Sequence, residues 1–265
     1  MIQHEAEGLR WYSFANIPDA EVNYGIFTRL GGASKGIHQA LNLGRTCGDR
    51  PEVVLENHQK VYNQLGRSLK SRYNVWQVHG TKVHFAHRAL VPGSIPQAGD
   101  AMFTDKPEVT LAMVFADCFP LLFYNPRVKA IGIVHSGWQG TLDRIADVAV
   151  REACQVFNCT PEDWQVGIGP GICGNCYEVG LEVRKKFLDQ WGNRAKKYFK
   201  PNNDRFLLDL PSAIEDTLRQ AGVSHMENSH FCTAENLQEW FSYRKEKGAT
   251  GRFGVVMALR ESKND

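Results

Sequence analysis

The 265-residue chain is most quickly placed by what it does not contain. No apolar run approaches the roughly 20 residues that a membrane-spanning helix requires. The opening Met1-Ile-Gln-His-Glu-Ala-Glu7 is polar and acidic, without a charged head before an apolar stretch. Neither secretion nor membrane insertion is expected, and the cytoplasm is the expected compartment. Charge of one sign is also missing: the net charge is +2, and no basic run carries interleaved aromatics. Nucleic acid is therefore disfavoured as a partner. No His-x-His pair occurs; the closest histidines, His84 and His87, are spaced His-x-x-His. A multicopper oxidase, which builds its clusters from several such pairs, lacks its ligands here. No internal repeat, low-complexity segment or linker is visible, and 43% hydrophobic content suffices for a sizeable core. One domain over residues 1–265 is expected. The seven cysteines are an odd number in a chain without a leader signal, which points to thiols in a reducing compartment rather than a disulfide framework.

Against these absences stand three residues set in dense polar and glycine signatures: His79 in Trp76-Gln-Val-His-Gly80, Cys118 in Ala116-Asp-Cys-Phe-Pro120, and His135 in His135-Ser-Gly-Trp-Gln-Gly-Thr141. One soft thiolate and two imidazoles make a three-ligand shell for zinc that leaves a fourth position for water or substrate. Their wide separation is unlike the short rhythm of a zinc finger, so the fold has to bring them together. Residues 109–115 and 130–134 read as buried strands, apolar throughout and bounded by Pro, Asp or Gly. Each delivers its ligand at or just past its carboxyl end. If the two run parallel, Cys118 and His135 emerge at one sheet edge, where sites in alternating α/β sheets form. The competing reading is a core cysteine with two packed histidines, since free cysteine is among the most buried residue types.

Further motifs accompany these three in a fixed order. They are Phe27-Thr-Arg-Leu-Gly-Gly-Ala-Ser34, Leu41-Asn-Leu-Gly44, Gly99-Asp-Ala101, Ile168-Gly-Pro170, Tyr177-Glu-Val179, Phe241-Ser-Tyr-Arg244 and Thr250-Gly-Arg252. On them the chain resembles, over nearly its whole length, the bacterial YfiH family, also called the laccase-domain-containing or polyphenol oxidase family. The resemblance implies an α+β (mixed α/β) fold with a four-layer arrangement of two sheets covered by helices. It implies a metal site on His79, Cys118 and His135. It also implies an enzyme of purine nucleosides that phosphorolyses adenosine, inosine, guanosine and methylthioadenosine with phosphate as co-substrate, and deaminates adenosine. Such proteins have also been described as copper laccases, and one branch is associated with editing peptidoglycan precursors. Two departures bear on phosphate. Gln139 stands where the family usually has Arg, and Asn57-His58 replaces its Asn-Arg, so two permanent positive charges are missing.

The rest of the chain alternates strand and helix signals. Residues 22–28 read as a strand, and 29–44 as a glycine-bearing loop. Asp49-Arg-Pro-Glu52 resembles a capping box opening a helix to about Gly66. On that helix Val54, His58, Val61 and Leu65 share one face, so His58 points inward, either as a satisfied core histidine or as a pocket residue in place of an arginine. Residues 73–78 and 81–86 read as strands, with His84 on the solvent face and neither His84 nor His87 a ligand. A helix from about Thr141 carries Leu142, Ile145, Ala146, Ala149, Ala153 and Val156 on one face. Strands at 164–168, 207–210 and 252–259 and helices at 177–191 and 211–221 complete the pattern, the last with proline in its first turn.

Two loops carry further chemistry. Gly137 and Gly140 allow a tight turn whose backbone N–H groups converge near a helix start, which suits either an anion or a plain strand-to-helix connection. In Gly167-Ile-Gly-Pro-Gly-Ile-Cys-Gly-Asn-Cys-Tyr177, Cys173 and Cys176 have zinc or redox spacing. A zinc there requires two more ligands, such as Cys232 and His230, which the sequence does not place nearby. A pocket-wall loop with free thiols is expected. Cys47, Cys154 and Cys159 read as packing or surface residues.

The expected roles follow. Zinc, with copper as the alternative metal, sits on His79, Cys118 and His135; Asp117 orients a ligand or transfers a proton. Arg29, Ser34, Asn42, Arg244 and Arg252, together with His58 and Gln139, are candidates for the substrate and phosphate pocket. The rivals are copper-dependent phenol oxidation, a metal-free cysteine hydrolase with Cys118 as nucleophile, and a non-catalytic relative in which the missing arginines mark lost activity.

Overall fold

Continuous apolar runs, rather than alternating ones, set the centre of this fold, because a strand covered on both faces has no side to give to water. In the computed structural model, which describes residues 1–261, two such strands are buried along their whole length, β8 (Phe119–Asn125) and β9 (Ala130–Ser136). They form an antiparallel hairpin inside a six-stranded sheet of order β14 (His225–Asn228), β10 (Gln165–Ile168), β8, β9, β6 (Ala101–Thr104), β5 (Val83–Phe85). A second six-stranded sheet runs β1 (Ile2–Ala6), β2 (Leu9–Ser13), β3 (Val22–Phe27), β15 (Phe253–Leu259), β7 (Thr110–Phe115), β4 (Arg72–Tyr73). A small sheet, β11 (Glu178–Val179), β13 (Arg205–Leu208) and β12 (Phe199–Asn202), completes the β structure; the sequence reading had only one of its strands. The last four residues of the expected 1–265 unit lie outside the described residues.

Three cores stack these parts into four layers. Ile26, Leu111, Met113 and Val255 of the second sheet meet Met102, Leu122, Ile131 and Ile133 of the first. On the outer face of the second sheet, Val61, Tyr62 and Leu65 at the end of α1 (Pro51–Gln64) pack on Phe27, Ala112 and Val256. On the outer face of the first, α3 (Ile145–Phe157), α4 (Leu181–Trp191) and α5 (Leu210–Gln220) cover Phe103, Leu121, Phe123 and Val134, with Trp164 fully enclosed. Burying each such Phe or Leu contributes roughly 1.5–3 kcal/mol, so the two outer helical layers are held by the same sheets that hold each other. The expected mixed α/β architecture of sheets covered by helices is found. No helix among the described residues is long and apolar enough to cross a membrane.

Several expectations need correction. The strands before Cys118 and His135 are not parallel neighbours: β7 and β9 lie in different sheets. Cys118 sits where the chain crosses from one sheet to the other, just before β8. Because β8 runs antiparallel to β9, with Pro120 opposite His135, the start of one strand meets the end of the other. Asp49 does not cap α1, whose N-cap is Arg50 followed by proline; its carboxylate instead accepts from Ser34 Oγ at 2.7 Å and Asn42 Nδ2 at 2.9 Å. His84 is buried rather than solvent-facing, its Nε2 2.8 Å from the Ala98 carbonyl, because the 97–99 segment folds over that face. The expected 73–78 strand ends at Tyr73, since the chain then leaves β7 and Trp76 pairs instead with the 97–99 segment. The helix expected from Thr141 is two, α2 (Trp138–Leu142) and α3, broken at Arg144 with φ of 62°. Val156, expected on its inner face, is exposed. The 177–191 helix starts only at Leu181, because Glu178 and Val179 pair with β13.

Candidate functional site

Asp100 organises the site from underneath. The carboxylate is fully buried and lies at the entry to β6, where the preceding Pro- and Gly-rich loop ends. It accepts the backbone N–H groups of Val78 (3.2 Å), His79 (3.0 Å) and Gly80 (2.8 Å). Wrapping three successive amides around one carboxylate forces a bend, and His79 accordingly takes φ of 59°. The same carboxylate stands 2.8 Å from His135 Nδ1, which leaves His135 Nε2 to face the site. Burial alone would raise the Asp100 pKa, but the His135 hydrogen bond and charge, with the backbone amides, hold it below the usual carboxylate value.

His79, Cys118 and His135 then converge. Each offers a ligand atom, and these atoms all lie within 4.8 Å of one another; the two imidazole centroids are 4.8 Å apart. His135 is buried, Cys118 half-buried and His79 exposed. Burial raises the Cys118 pKa, yet the neighbouring His135 and His79 outweigh it and favour the thiolate. His135 is shifted up in turn by Cys118 and Asp100 against the opposing effect of burial. A thiolate with two imidazoles is a donor set that suits a borderline-soft divalent ion. Gly137 leaves the necessary room: a Cβ there would stand 2.8 Å from Cys118 Sγ and 3.1 Å from His79 Nδ1.

Asp117, next to Cys118, is tied down rather than free. It has φ of 82°, its Oδ1 accepts from Thr233 Oγ1 at 2.6 Å and its Oδ2 from the Arg244 backbone N–H at 2.6 Å. Both oxygens are engaged in holding the crossover turn that presents Cys118.

The three donors open onto a cavity of about 900 Å³, within the size range of small-molecule sites. Its walls include His58, Asp117, Gln139, Arg244 and Arg252 from the sequence-derived set, together with Arg45, Arg72, Trp138, Tyr177 and Tyr243. The Arg244 guanidinium lies 4.9 Å from the Tyr177 ring centre and that of Arg252 5.4 Å from Tyr243, stacking that fixes their planes. Burial pushes the Tyr177 phenol up, so it remains a hydrogen-bond donor at neutral pH. His58 donates through Nε2 to the Leu43 carbonyl at 3.0 Å, and burial, with Arg72 and Arg45 nearby, lowers its pKa to about 4. It is neutral and does not replace an arginine's charge; Arg45 and Arg72 supply that charge instead.

Arg29, Ser34 and Asn42 lie elsewhere. Arg29 bridges loops, donating to the carbonyls of Gln39 and Leu237 and pairing with Glu246. Ser34 and Asn42 are buried around Asp49 and Asn57, so their polar groups are spent tying the 29–49 loop to itself, to α1 and to the Arg252 backbone N–H. The turn at Gly137 leads into α2, which starts at Trp138 and is only five residues long, too short to build the helix dipole expected there. The residues missed by sequence reasoning are Asp100, Arg45, Arg72 and the aromatic lining. Asp100 had a signal, a single acid in a Gly-Asp-Ala motif; Arg45 and Arg72 had none, because they reach the cavity from a loop and from an edge strand.

Residues 23–260 match the family described as multi-copper polyphenol oxidoreductase laccase. Among curated relatives, the purine nucleoside phosphorylase of Deinococcus radiodurans is 36% identical over 246 residues, 91% of each chain. The purine nucleoside phosphorylase YlmD of Geobacillus stearothermophilus is 31% identical over 275 residues, 98% of each. Among solved structures, the hypothetical protein YfiH of Bacillus licheniformis superposes with a TM-score of 0.89 at 29% identity, over 97% of this chain and 98% of that one. YlmD from Geobacillus stearothermophilus superposes with a TM-score of 0.86 at 30% identity, over 98% of both.

Proposed function

The chain belongs to the multi-copper polyphenol oxidoreductase laccase family, and from that membership we propose that it is a zinc-dependent purine nucleoside phosphorylase. We assign it adenosine deaminase and methylthioadenosine phosphorylase activities at the same site. Relatives named purine nucleoside phosphorylase support the reaction class. The observation that carries the reading is the meeting of two kinds of wall: the His79, Cys118 and His135 donors open onto a cavity that also holds four arginines and aromatic faces.

Phosphorolysis breaks the bond between the ribose C1′ and the purine nitrogen and forms one from C1′ to a phosphate oxygen. The purine departs with the bonding electrons and takes up a proton. Two demands follow: an anion held in line with C1′, and stabilisation of the negative charge on the leaving base. Arg45, Arg72, Arg244 and Arg252 meet the first by concentrating positive charge in a partly enclosed space. Trp138, Tyr177 and Tyr243 offer faces to the purine, and the protonated Tyr177 hydroxyl is a donor toward it. Asp100 holds His135 in one orientation, and Asp117 fixes the turn that presents Cys118; both are positioning residues. A zinc ion held by His79, Cys118 and His135 supplies Lewis acidity and the water activation that deamination at C6 needs. None of the seven cysteines is paired in a disulfide, in keeping with the cytoplasm as the proposed compartment.

The reading is tested by incubating inosine, adenosine and methylthioadenosine with and without phosphate. Expected products are the free base and the sugar 1-phosphate with phosphate present, and inosine from adenosine without it. No phosphate-dependent base release from any of the three would contradict the assignment. A second reading, a cysteine hydrolase using Cys118 and His135 without metal, draws on the same pair and predicts activity that survives chelation. Copper-dependent phenol oxidation predicts instead a colour change with phenolic substrates on copper loading.

A further inference from the structure

Away from the cavity donors, three of the remaining thiols meet. Cys173 and Cys176 lie on the glycine-rich loop after β10. Cys232 follows β14, and its segment bridges to Gly171. Glu235 completes the group, and the four ligand atoms all lie within 4.8 Å of one another. Cys176 Sγ is 3.4 Å and Cys173 Sγ 3.6 Å from the Glu235 carboxylate. The Cys173 backbone N–H points at Cys232 Sγ at 3.3 Å, an orientation that stabilises a sulfur carrying negative charge. His230, the ligand considered from sequence, is not part of this group; Glu235 takes that place because the chain turns back after Cys232.

We propose that Cys173, Cys176, Cys232 and Glu235 form a second, structural zinc site. Four ligands close a tetrahedral shell, in contrast to the three donors at the cavity, which leave a position open. Three thiolates and a carboxylate select zinc over hard, oxygen-seeking cations such as magnesium and calcium. The short Cys-x-x-Cys loop supplies two ligands from one tight turn, in which the Cys176 and Tyr177 N–H groups both return to the Cys173 carbonyl. The chain between Cys176 and Cys232 carries α4, the small sheet and α5, so the site ties together two segments distant in sequence.

The consequence reaches the cavity through Asp117. Ile172 N–H donates to the Asp117 carbonyl. Thr233, the neighbour of Cys232, donates to one carboxylate oxygen, and the Arg244 N–H donates to the other. The two segments joined by the cluster are thus the ones that hold the left-handed Asp117 and the turn presenting Cys118. Tyr177, which lines the cavity, directly follows Cys176. The cluster braces the wall and supplies no group to the reaction.

The test is zinc stoichiometry and cobalt spectroscopy on the full chain, purified with reductant. Apoprotein is titrated with cobalt, whose thiolate charge-transfer bands report the number of sulfur ligands. The expected result is two metal ions per native chain and one in a Cys173→Ser/Cys176→Ser variant, with most of the thiolate bands lost. Cys118→Ser is expected to keep the second site and most of the band intensity. Glu235→Gln, an exposed change suited to the case in which the cysteine variants do not fold, is expected to weaken zinc binding there while retaining thiolate bands. Metal content unchanged by the double cysteine variant, or a Cys173–Cys176 disulfide in the reduced preparation, would overturn the proposal. A native chain with one metal that disappears in the double variant would support this site and count against the cavity site instead.

Discussion

Asp100 Oδ1 stands 2.8 Å from His135 Nδ1, and the same buried carboxylate accepts the backbone N–H groups on both sides of His79 and that of His79 itself. One side chain therefore fixes two of the three candidate ligands. Asp100→Asn is expected to weaken zinc binding at the cavity site by about 10- to 100-fold, the usual cost of losing such a partner. Competition with a chromophoric chelator measures it. Asp100→Ala should also lower stability, because the part-buried Val78, His79 and Gly80 amides lose their acceptor, each at no more than about 1–3 kcal/mol. Unchanged zinc affinity in both variants would remove Asp100 from the account.

Gly137→Ala separates site from fold. The backbone there, φ −89° and ψ −178°, is open to any residue, so alanine imposes no conformational strain. Its Cβ would press on Cys118 Sγ and His79 Nδ1. The expectation is loss of zinc binding and activity, with denaturant unfolding of the metal-free protein within about 1 kcal/mol of native. A fully active Gly137→Ala enzyme would show that these two atoms need not approach each other.

His58 gives the protein a pH dependence of stability. Its folded pKa of about 4 lies below the ordinary value of 6.5, so between these values the unfolded chain binds more protons than the folded one. The stability this group contributes is complete above about pH 6.5 and is lost as pH falls toward about 4, by at most about 1.4 kcal/mol per pH unit. In His58→Gln, which keeps a donor for the Leu43 carbonyl, that part of the acid destabilisation should vanish. Melting curves of the two proteins from pH 7 to pH 5 make the comparison. Parallel curves would contradict it.

Phosphate recognition is expected to rest on Arg45 and Arg72 rather than on residue 139. Arg45→Ala, at an exposed cavity wall, should raise the phosphate KM about tenfold or more, the scale of one charge-assisted hydrogen bond. Gln139→Arg should lower it. Steady-state kinetics with phosphate varied at saturating nucleoside reads both, and an unmoved KM in Arg45→Ala would shift the anion to another part of the cavity.

How much of this was legible in the sequence depends on whether a feature was local. The three donors His79, Cys118 and His135 stood out because each sat in an unusual polar setting beside an apolar run, and they do converge. The means of convergence was misjudged, since continuous apolar strands read the same whether they pair parallel or antiparallel, and only the sheet assignment puts β7 and β9 in different layers. Ser34 and Asn42 looked like pocket residues because polar motif residues in a loop have no visible partner until the loop folds back on Asp49. Arg45 and Glu235 were invisible for the reverse reason, and Cys232 could be named but not placed: their neighbours lie in parts of the chain that only the sheet crossovers bring close. The rule that a lone Cys-x-x-Cys needs two more ligands was sound, and tertiary structure supplies a cysteine and a glutamate.

The most direct test is inosine phosphorolysis by native protein and His79→Ala side by side, with zinc content measured in each. The account predicts phosphate-dependent hypoxanthine release by the native protein. In His79→Ala it predicts activity lower by orders of magnitude, together with loss of zinc at the cavity site and an otherwise normal fold. Equal phosphorolysis by the two proteins, or none by a zinc-loaded native chain, would contradict it.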